Sequence, residues 1–243
     1  MKLGLVYAMR SEVESLLKLM DGKLLELVSG VSIYSLGENI IAAAGGVGKV
    51  NAAMATQLLI DRYAPELIFN AGIAGTLEDI KPYTLLLPTS FIQHDVDTTA
   101  VGDPIGFVST VEKVEFPCAY VEESRAILDE LGFKYSVGRV ASGDWFAVNG
   151  ERARFIHKTF CPTLVDMEGC AVAQVAYRAR IPFIALKCVS DRILHEGGAN
   201  GEEYLFNLDI ACRSLAECSA AFIKAWAARE KTKKTHKNQL TST

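Results

Sequence analysis

The alternation of fully apolar runs with amphipathic helical segments restricts the fold of this chain more than any other feature of its sequence. The runs ELIFNAGIAG (66–75) and PFIALKCVSD (182–191) are apolar along most of their length, whereas a strand with one side in water alternates apolar and polar residues. Helical spacing of apolar residues marks segments such as SRAILDELGF (124–133). A sheet that is buried on both faces needs helices on both faces, so the sequence predicts an α/β protein, a three-layer α/β/α sandwich.

The glycine-bearing segment GVGKVNAAMATQLLIDRYA (46–64) is predicted to form a helix after the end of a strand. It lacks the last glycine of GxGxxG and does not fit GxxxxGK[ST], so a dinucleotide or ATP loop is not predicted. The glycines are interpreted instead as allowing a strand and a helix to pack closely. The helix is predicted to bury one side, formed by Val50, Ala53, Met54, Leu58 and Leu59.

Composition and charge indicate one domain with a basic end. No internal repeat or low-complexity linker divides the chain of 243 residues, so residues 1–228 are predicted to form a single domain. Residues 229–243 hold five Lys/Arg and one Glu and are predicted to be a disordered, solvated tail, with contact to a polyanion or a membrane surface as the alternative. The net charge of −4 offers no basic surface for nucleic acid, and no apolar run approaches the roughly 18 residues of a membrane helix.

Cysteines and histidines give no sign of a disulfide framework or a metal site. The six cysteines form no CxxC pair and are predicted to be buried thiols in a reducing compartment, the cytoplasm. The four histidines form no HxH or HxxxH pair, which argues against a metal enzyme.

Four strand ends carry residues that suit a site. AMRSE places Glu12 in the first helical turn after the first strand, NAGIAG forms a turn of small residues, VDMEG places Glu168 at a helix start, and CVSDR places Asp191 at a strand end. Each acid also has a structural interpretation, because acids stabilise the first turn of a helix and cap helices. Strand ends gather at one edge of such a sheet, where ligands bind, so the acids are expected to converge.

Separated carboxylates beside an apolar cavity suit a reaction in which one acid donates a proton and another accepts one. Their environments can keep one carboxyl protonated while the others are ionised. Cleavage of a glycosidic bond is such a reaction, since the leaving group gains a proton and a water molecule loses one.

An ordered set of motifs resembles one known family over residues 1 to about 226. The chain is similar to the 5′-methylthioadenosine/S-adenosylhomocysteine nucleosidases of the purine nucleoside phosphorylase superfamily. The resemblance implies a central mixed, twisted sheet, a homodimer whose 5′ pocket is completed by the other subunit, and hydrolysis of the bond between adenine and a 5′-substituted ribose without a cofactor or metal. The motifs are AMRSEVESLL, GGVGKVNAA, NAGIAG, QHDVDTTAVGD, SGDWF, VDMEG and VSD.

The resemblance also implies roles for individual residues. Asp191 would protonate N7 of the leaving adenine, and Glu12 would hold and deprotonate the attacking water. Glu168 would bind the ribose hydroxyls, Met167 would pack against the sugar, and Phe146 would stack on the base. The other residues implied to bind substrate are Ala147, Ile73, Ala74, Gly75, Ser190 and Lys187.

The chain departs from the family pattern at several positions. Ile73 stands where the family usually has Ser, and Lys187 stands where it has Arg, which keeps the charge but loses the planar fork. Thr98 and Asp103 replace apolar and aromatic residues of the stretch that reaches the neighbouring 5′ pocket. Glycines after Asp191 occupy the region where an aromatic residue commonly closes over the 5′ group, and His195 in that loop is a candidate lid residue. We therefore expect recognition of adenine and ribose to be retained, whereas the sequence does not identify the 5′ substituent.

Two alternative functions compete with the nucleosidase hypothesis. A phosphate-dependent purine nucleoside phosphorylase would need arginines to bind the anion, but residues 11–61 contain none, and Glu12 would repel phosphate; Arg10 is the one candidate. A non-catalytic nucleoside-binding protein on the same scaffold would have little use for three buried acids, which are costly to bury.

Overall fold

The computed structural model describes residues 1–194 and 200–240, with only the backbone of residues 200 and 234–240. The strands are β1 Leu3–Tyr7, β2 Lys23–Val28, β3 Val31–Ser35, β4 Ile40–Ala44, β5 Leu67–Thr76, β6 Leu85–Gln93, β7 Glu115–Pro117, β8 Tyr135–Ser142, β9 Leu164–Asp166 and β10 Phe183–Arg192. The α-helices are α1 Arg10–Leu19, α2 Lys49–Tyr63, α3 Val121–Glu130, α4 Glu151–Phe160, α5 Gly169–Ala179 and α6 Asn200–Leu240. Two 3₁₀ helices, Thr99–Val101 and Ser109–Val111, lie between β6 and β7.

The strands form one mixed sheet in the order β10-β6-β8-β9-β5-β1-β4-β3-β2, with β7 beside β6. Strand β10 also pairs with β5 in parallel, so the region from β10 through β6, β8 and β9 to β5 closes on itself. The register of β10 against β5 shifts by one residue between Val189 and Asp191, where the chain bulges. The observed α/β architecture confirms the predicted fold class.

Helices cover both faces of the sheet, which explains why its central strands are apolar throughout. Successive residues of β1 point to opposite faces: Leu5 and Tyr7 belong to the core cluster that includes α1 and α6, and Val6 belongs to the cluster that includes α2 and α5. A half-exposed sheet would have needed a polar residue at every second position of these strands.

The buried side of α2 differs from the predicted one. Ala52, Ala55, Thr56 and Leu59 are buried, whereas Val50 is 78% exposed. Apolar residues and alanines occupy all sides of this helix, so their spacing does not identify which stripe faces the sheet.

Helix α6 continues through Leu240 and so includes residues 229–240 of the predicted basic tail. Lys and Arg, which are frequent here, have high helix propensity, and Lys233 contacts Glu230 one turn earlier at 3.1 Å. Within the described residues, no helix combines the length and the apolar character that spanning a membrane requires.

The cysteines are free thiols, and most of them are buried as predicted. Cys170, Cys188, Cys212 and Cys218 lie in the core. Cys161 is exposed at the C-terminal end of α4.

Candidate active site

A cavity of about 360 Å³ opens where β1, β5, β9 and β10 end. It combines apolar walls with four acidic side chains, a composition typical of small-molecule sites. Its lining consists of Ala8, Met9, Glu12, Val47, Ile73, Ala74, Gly75, Trp145, Phe146, Ala147, Val165, Asp166, Met167, Glu168, Ser190, Asp191, Ile193 and Tyr204.

The structure brings ten of the eleven predicted site residues to this cavity, and Lys187 is the exception. The parallel strands β1, β5 and β10 end at the same edge of the sheet, which brings Glu12 and Asp191 together. The segment NAGIAG, which was predicted to form a turn, is part of β5. Strand β9 runs antiparallel to β5, and this pairing brings Glu168 to the cavity. The ten are Glu12, Ile73, Ala74, Gly75, Phe146, Ala147, Met167, Glu168, Ser190 and Asp191.

Glu12 is fixed by three backbone hydrogen bonds. One carboxylate oxygen accepts from the N–H groups of Ala8 at 3.1 Å and Met9 at 2.8 Å, and the other accepts from Ile73 at 3.0 Å. The side chain therefore stabilises the start of α1, as the structural interpretation predicted, and also lines the cavity. Burial raises the pKa of Glu12, while the backbone N–H groups and the nearby Lys187 lower it.

Glu168 immediately precedes α5, and its side chain makes no capping hydrogen bond to that helix. Its carboxylate accepts a hydrogen bond of 2.7 Å from the N–H of Gly48, which lies 120 residues earlier at the start of α2. Burial, followed by the charge of Asp166, raises the pKa of Glu168 to about 8, while the bond from Gly48 acts in the opposite direction. The acid form of Glu168 is thus favoured at neutral pH in the absence of substrate.

Asp191 lies at the end of β10, beside the bulge. Its Oδ1 accepts a hydrogen bond of 2.7 Å from the Ser190 hydroxyl. Asn207 of α6 donates to the Ser190 carbonyl at 2.8 Å and also binds Tyr83. Gly75 leaves room for the carboxyl, because a Cβ there would lie 3.1 Å from Asp191 Oδ2.

Lys187 is not among the residues that line the cavity, and its contact with substrate stays a prediction. Its ammonium group lies behind the cavity wall, 2.8 Å from Asp166 Oδ2, and both side chains are at least 98% buried. The Asp166 carboxylate also accepts from the Gly169 N–H at 3.1 Å and from the Ser142 hydroxyl. A buried acid needs such partners, so Lys187 serves the cavity by neutralising Asp166.

Tyr204 is a cavity residue that the sequence analysis missed. Glycines follow Asp191 where the family usually has an aromatic residue, but α6 brings the Tyr204 ring to the cavity, 5.2 Å from the Phe146 ring and at 81° to it. The Tyr204 hydroxyl contacts the Met9 sulfur at 3.6 Å. An aromatic residue in the first turns of the helix that follows Asp191 was the available signal. His195 lies outside the described residues.

Metal binding has no support from the described part of the chain, where no group of three or more His, Cys, Asp or Glu side chains is arranged to hold an ion. The acids of the cavity instead use backbone N–H groups, a hydroxyl and Lys187 as partners.

The raised pKa of Glu168 predicts a pH-dependent stability difference between the protein and its Glu168→Gln variant. From about pH 4.5 to pH 8 the unfolded chain has lost the proton of Glu168 and the folded chain retains it, so rising pH favours unfolding. Relative to the variant, the free energy of unfolding should fall across this window by at most about 1.4 kcal/mol per pH unit. Urea unfolding at several pH values measures this difference. A difference that does not change with pH would contradict the assignment.

Comparisons with known proteins agree with this geometry. Residues 2–224 match the family model of the phosphorylase superfamily. The 5′-methylthioadenosine/S-adenosylhomocysteine nucleosidase of Shewanella putrefaciens is 32% identical over 213 residues, which cover 84% of this chain and 92% of the relative.

Solved structures with the same fold include two from Helicobacter pylori. A mutant of its 5′-methylthioadenosine/S-adenosylhomocysteine nucleosidase, with 5′-methylthioadenosine in the active site, is 27% identical with a TM-score of 0.85 and covers 92% of this chain and 98% of its own. Its futalosine hydrolase is 26% identical, also with a TM-score of 0.85, and covers 92% of this chain and 97% of its own.

The sheet, the cavity at its edge and the family match define a member of the phosphorylase superfamily. Within it, the chain belongs to the 5′-methylthioadenosine/S-adenosylhomocysteine nucleosidase family, which confirms the resemblance found in the sequence. It is a nucleosidase, an N-glycosyl hydrolase.

Proposed function

We propose that the protein hydrolyses the N-glycosidic bond of 5′-substituted adenine nucleosides, 5′-methylthioadenosine, S-adenosylhomocysteine or a close relative, and releases adenine without a cofactor. The observation that carries this proposal is that Glu12, Glu168 and Asp191, which are far apart in the chain, line one cavity of about 360 Å³. The names of the relatives support the choice of substrate class.

In the proposed reaction, Asp191 in its acid form donates a proton to N7 of adenine. The bond between C1′ and the purine then breaks, with its electron pair moving to the base. Positive charge develops on the sugar, and the carboxylates of a water-poor cavity stabilise it more strongly than they would in water. The proton of Ser190 points to Asp191 and helps to orient that carboxyl.

Glu12 is proposed to bind the water molecule that attacks C1′ and to take its proton. Its three backbone hydrogen bonds hold the carboxylate in place before substrate arrives, which reduces the reorganisation needed in the reaction. Ile73, Ala74 and Gly75, none of which has a polar side chain, form the adjoining wall. The products are adenine and the free 5′-substituted ribose.

Substrate binding is proposed to use the remaining residues of the cavity. Glu168 would accept hydrogen bonds from the ribose hydroxyls, and Met167 beside it would pack against the sugar. Phe146 would stack on adenine, and the backbone at Ala147 would bind the edge of the base. All four residues line the cavity.

The charges of the cavity support water over phosphate as the nucleophile. Among the described residues that line it, four are acidic and none is Lys or Arg. Phosphate would enter this site without a cation among the lining residues to bind it.

We therefore expect adenine release from 5′-methylthioadenosine to proceed at the same rate with and without inorganic phosphate, and the sugar product to be the free ribose. Chromatography of both products measures this. An absolute need for phosphate, with a sugar 1-phosphate as product, would identify a phosphorylase. Tight binding of the nucleoside without release of adenine would identify a non-catalytic binding protein.

The 5′ pocket is proposed to be completed by a second subunit in a homodimer. Apolar side chains at the cavity mouth are exposed in the single chain, with Val47 at 47% and Phe146 at 43%. Thr98 and Asp103 bind each other at 2.8 Å in the loop that the resemblance assigns to the neighbouring pocket.

Adenine release from nucleosides that differ only at the 5′ position, with futalosine as a comparison substrate, would identify the substituent. A role in methionine salvage and a cytoplasmic location form part of the same proposal.

A further inference from the structure

Three residues that have no role in the proposed chemistry, each from a different sequence motif, meet at the start of α2. They are Lys49 from GGVGKVNAA, Asp95 from QHDVD and Asp144 from SGDWF. The Lys49 ammonium group binds Asp95 Oδ1 at 2.7 Å, Asp95 Oδ2 accepts from the Asp144 N–H at 2.9 Å, and Asp144 Oδ1 accepts from the Lys49 N–H at 2.8 Å. We call these three residues the Lys49 network.

The Lys49 network joins two segments that form the cavity. On one side, the residue before Lys49 is Gly48, whose N–H holds the Glu168 carboxylate at 2.7 Å. On the other side, Asp144 precedes Trp145 and Phe146, which line the cavity. The network therefore fixes the distance between the carboxylate assigned to ribose and the wall assigned to the base.

The local geometry requires this close approach. Gly48 has a φ of +97° and a Cβ at this position would lie 3.0 Å from Asp144 Oδ1, so glycine is needed on both counts. Lys49 and Asp95 are less than 20% exposed, and Gln93 Oε1 also accepts from the Lys49 ammonium group at 2.9 Å. Burial raises the pKa of Asp95, but the bonds from Lys49 and the Asp144 N–H outweigh it and hold the pKa below its usual value. Asp95 is thus ionised at neutral pH and pairs with the cation.

We propose that the Lys49 network is a positioning device for the nucleoside site, which holds Glu168 through the Gly48 N–H and aligns it with the Phe146 wall. This inference rests on the proposed function, in which Glu168 binds ribose and Phe146 binds adenine. None of the three residues touches the reacting atoms. Their effect is exerted on binding of the whole nucleoside, in the ground state and the transition state alike.

The test compares two substitutions at Asp144, an exposed position where neither replacement disrupts the core. Asp144→Asn keeps an oxygen that accepts from the Lys49 N–H and should behave as the unchanged protein. Asp144→Ala removes the acceptor and should raise KM for 5′-methylthioadenosine about tenfold, with kcat within about twofold, because it removes binding that is equal in both states. Lys49→Met removes the cation from Asp95 and Gln93 and should raise KM at least as much as Asp144→Ala, again with kcat within about twofold.

Comparing the change in KM with the change in kcat distinguishes a positioning role from a purely structural role. A variant that merely destabilises the fold loses active protein, so its apparent kcat falls while KM is unchanged. Thermal unfolding of each variant measures folding directly, and Lys158→Met, an exposed lysine on α4, is the matched control. The Lys49→Met/Asp144→Ala double variant should resemble the more impaired single variant, since both break one network.

The result that would overturn the proposal is a KM within about twofold of the unchanged protein in both Asp144→Ala and Lys49→Met. Equal loss in Asp144→Ala and Asp144→Asn would also overturn it. Failure of the proposed function is distinguishable, because in that case the unchanged protein itself releases no adenine from the nucleoside.

Discussion

Asp191→Asn is expected to lower the rate of adenine release by about 10²- to 10⁴-fold without loss of the fold. Asparagine has the shape of aspartic acid and keeps an oxygen that can accept the hydrogen bond from Ser190. It has no carboxylic acid proton to give to the purine, so the leaving base departs with more negative charge. The loss corresponds to about 3 to 5 kcal/mol of transition-state stabilisation.

The measurement is single-turnover and steady-state release of adenine from 5′-methylthioadenosine, with circular dichroism and thermal unfolding to confirm the fold. Asp79→Asn makes the same chemical change at an exposed position and is the control. A rate near that of the unchanged protein would remove Asp191 from the mechanism.

Lys187→Met is expected to lower the free energy of unfolding by about 3 to 5 kcal/mol. Methionine has a similar length and is apolar, so the core remains filled, but Asp166 loses the cation 2.8 Å from its carboxylate. Both groups are almost fully buried, and water cannot replace the lost partner. The cost is therefore the cost of an unpaired charge in the interior.

Chemical denaturation of the single variant and of Lys187→Met/Asp166→Asn tests this explanation. The double variant lacks the charge as well as its partner, so it should recover part of the lost stability, and it remains measurable if the single variant does not fold. A loss below about 1 kcal/mol, or a double variant no more stable than the single one, would show that the pair contributes little.

The sequence was sufficient for the fold class and for part of the cavity. Glu12 and Asp191 stand at or just after the ends of β1 and β10, and the ends of parallel strands meet at one edge of a sheet, so local sequence determines their common location. Glu168 follows β9, which runs antiparallel to β5, so its place in the cavity depends on that long-range pairing. Lys187 shows the limit of this reasoning. It lies four residues before Asp191 in the same strand, but its buried pairing with Asp166 depends on how two distant segments pack.

Tyr204 and α2 also show that local sequence does not determine how distant segments pack. Tyr204 reaches the cavity because α6 packs against β10, the strand that ends in Asp191 and Arg192. The side of α2 that faces the sheet is determined by packing against β1, β4 and α5, since its own apolar residues surround the helix. Local spacing contains neither kind of information.

The bulge in β10 has a consequence for which changes of length the chain can tolerate. In a regular strand, neighbouring side chains alternate between faces, so the one extra residue between Val189 and Asp191 determines which way the carboxyl of Asp191 points. Deleting this residue, Ser190, would remove the hydroxyl that donates to Asp191 Oδ1 and the carbonyl that accepts from Asn207, so the Asp191 carboxyl would lose the contacts that hold it at the cavity. Loops at the rim can gain or lose residues as related proteins diverge. In this strand, a single deletion would end catalysis although every catalytic residue would still be present in the sequence.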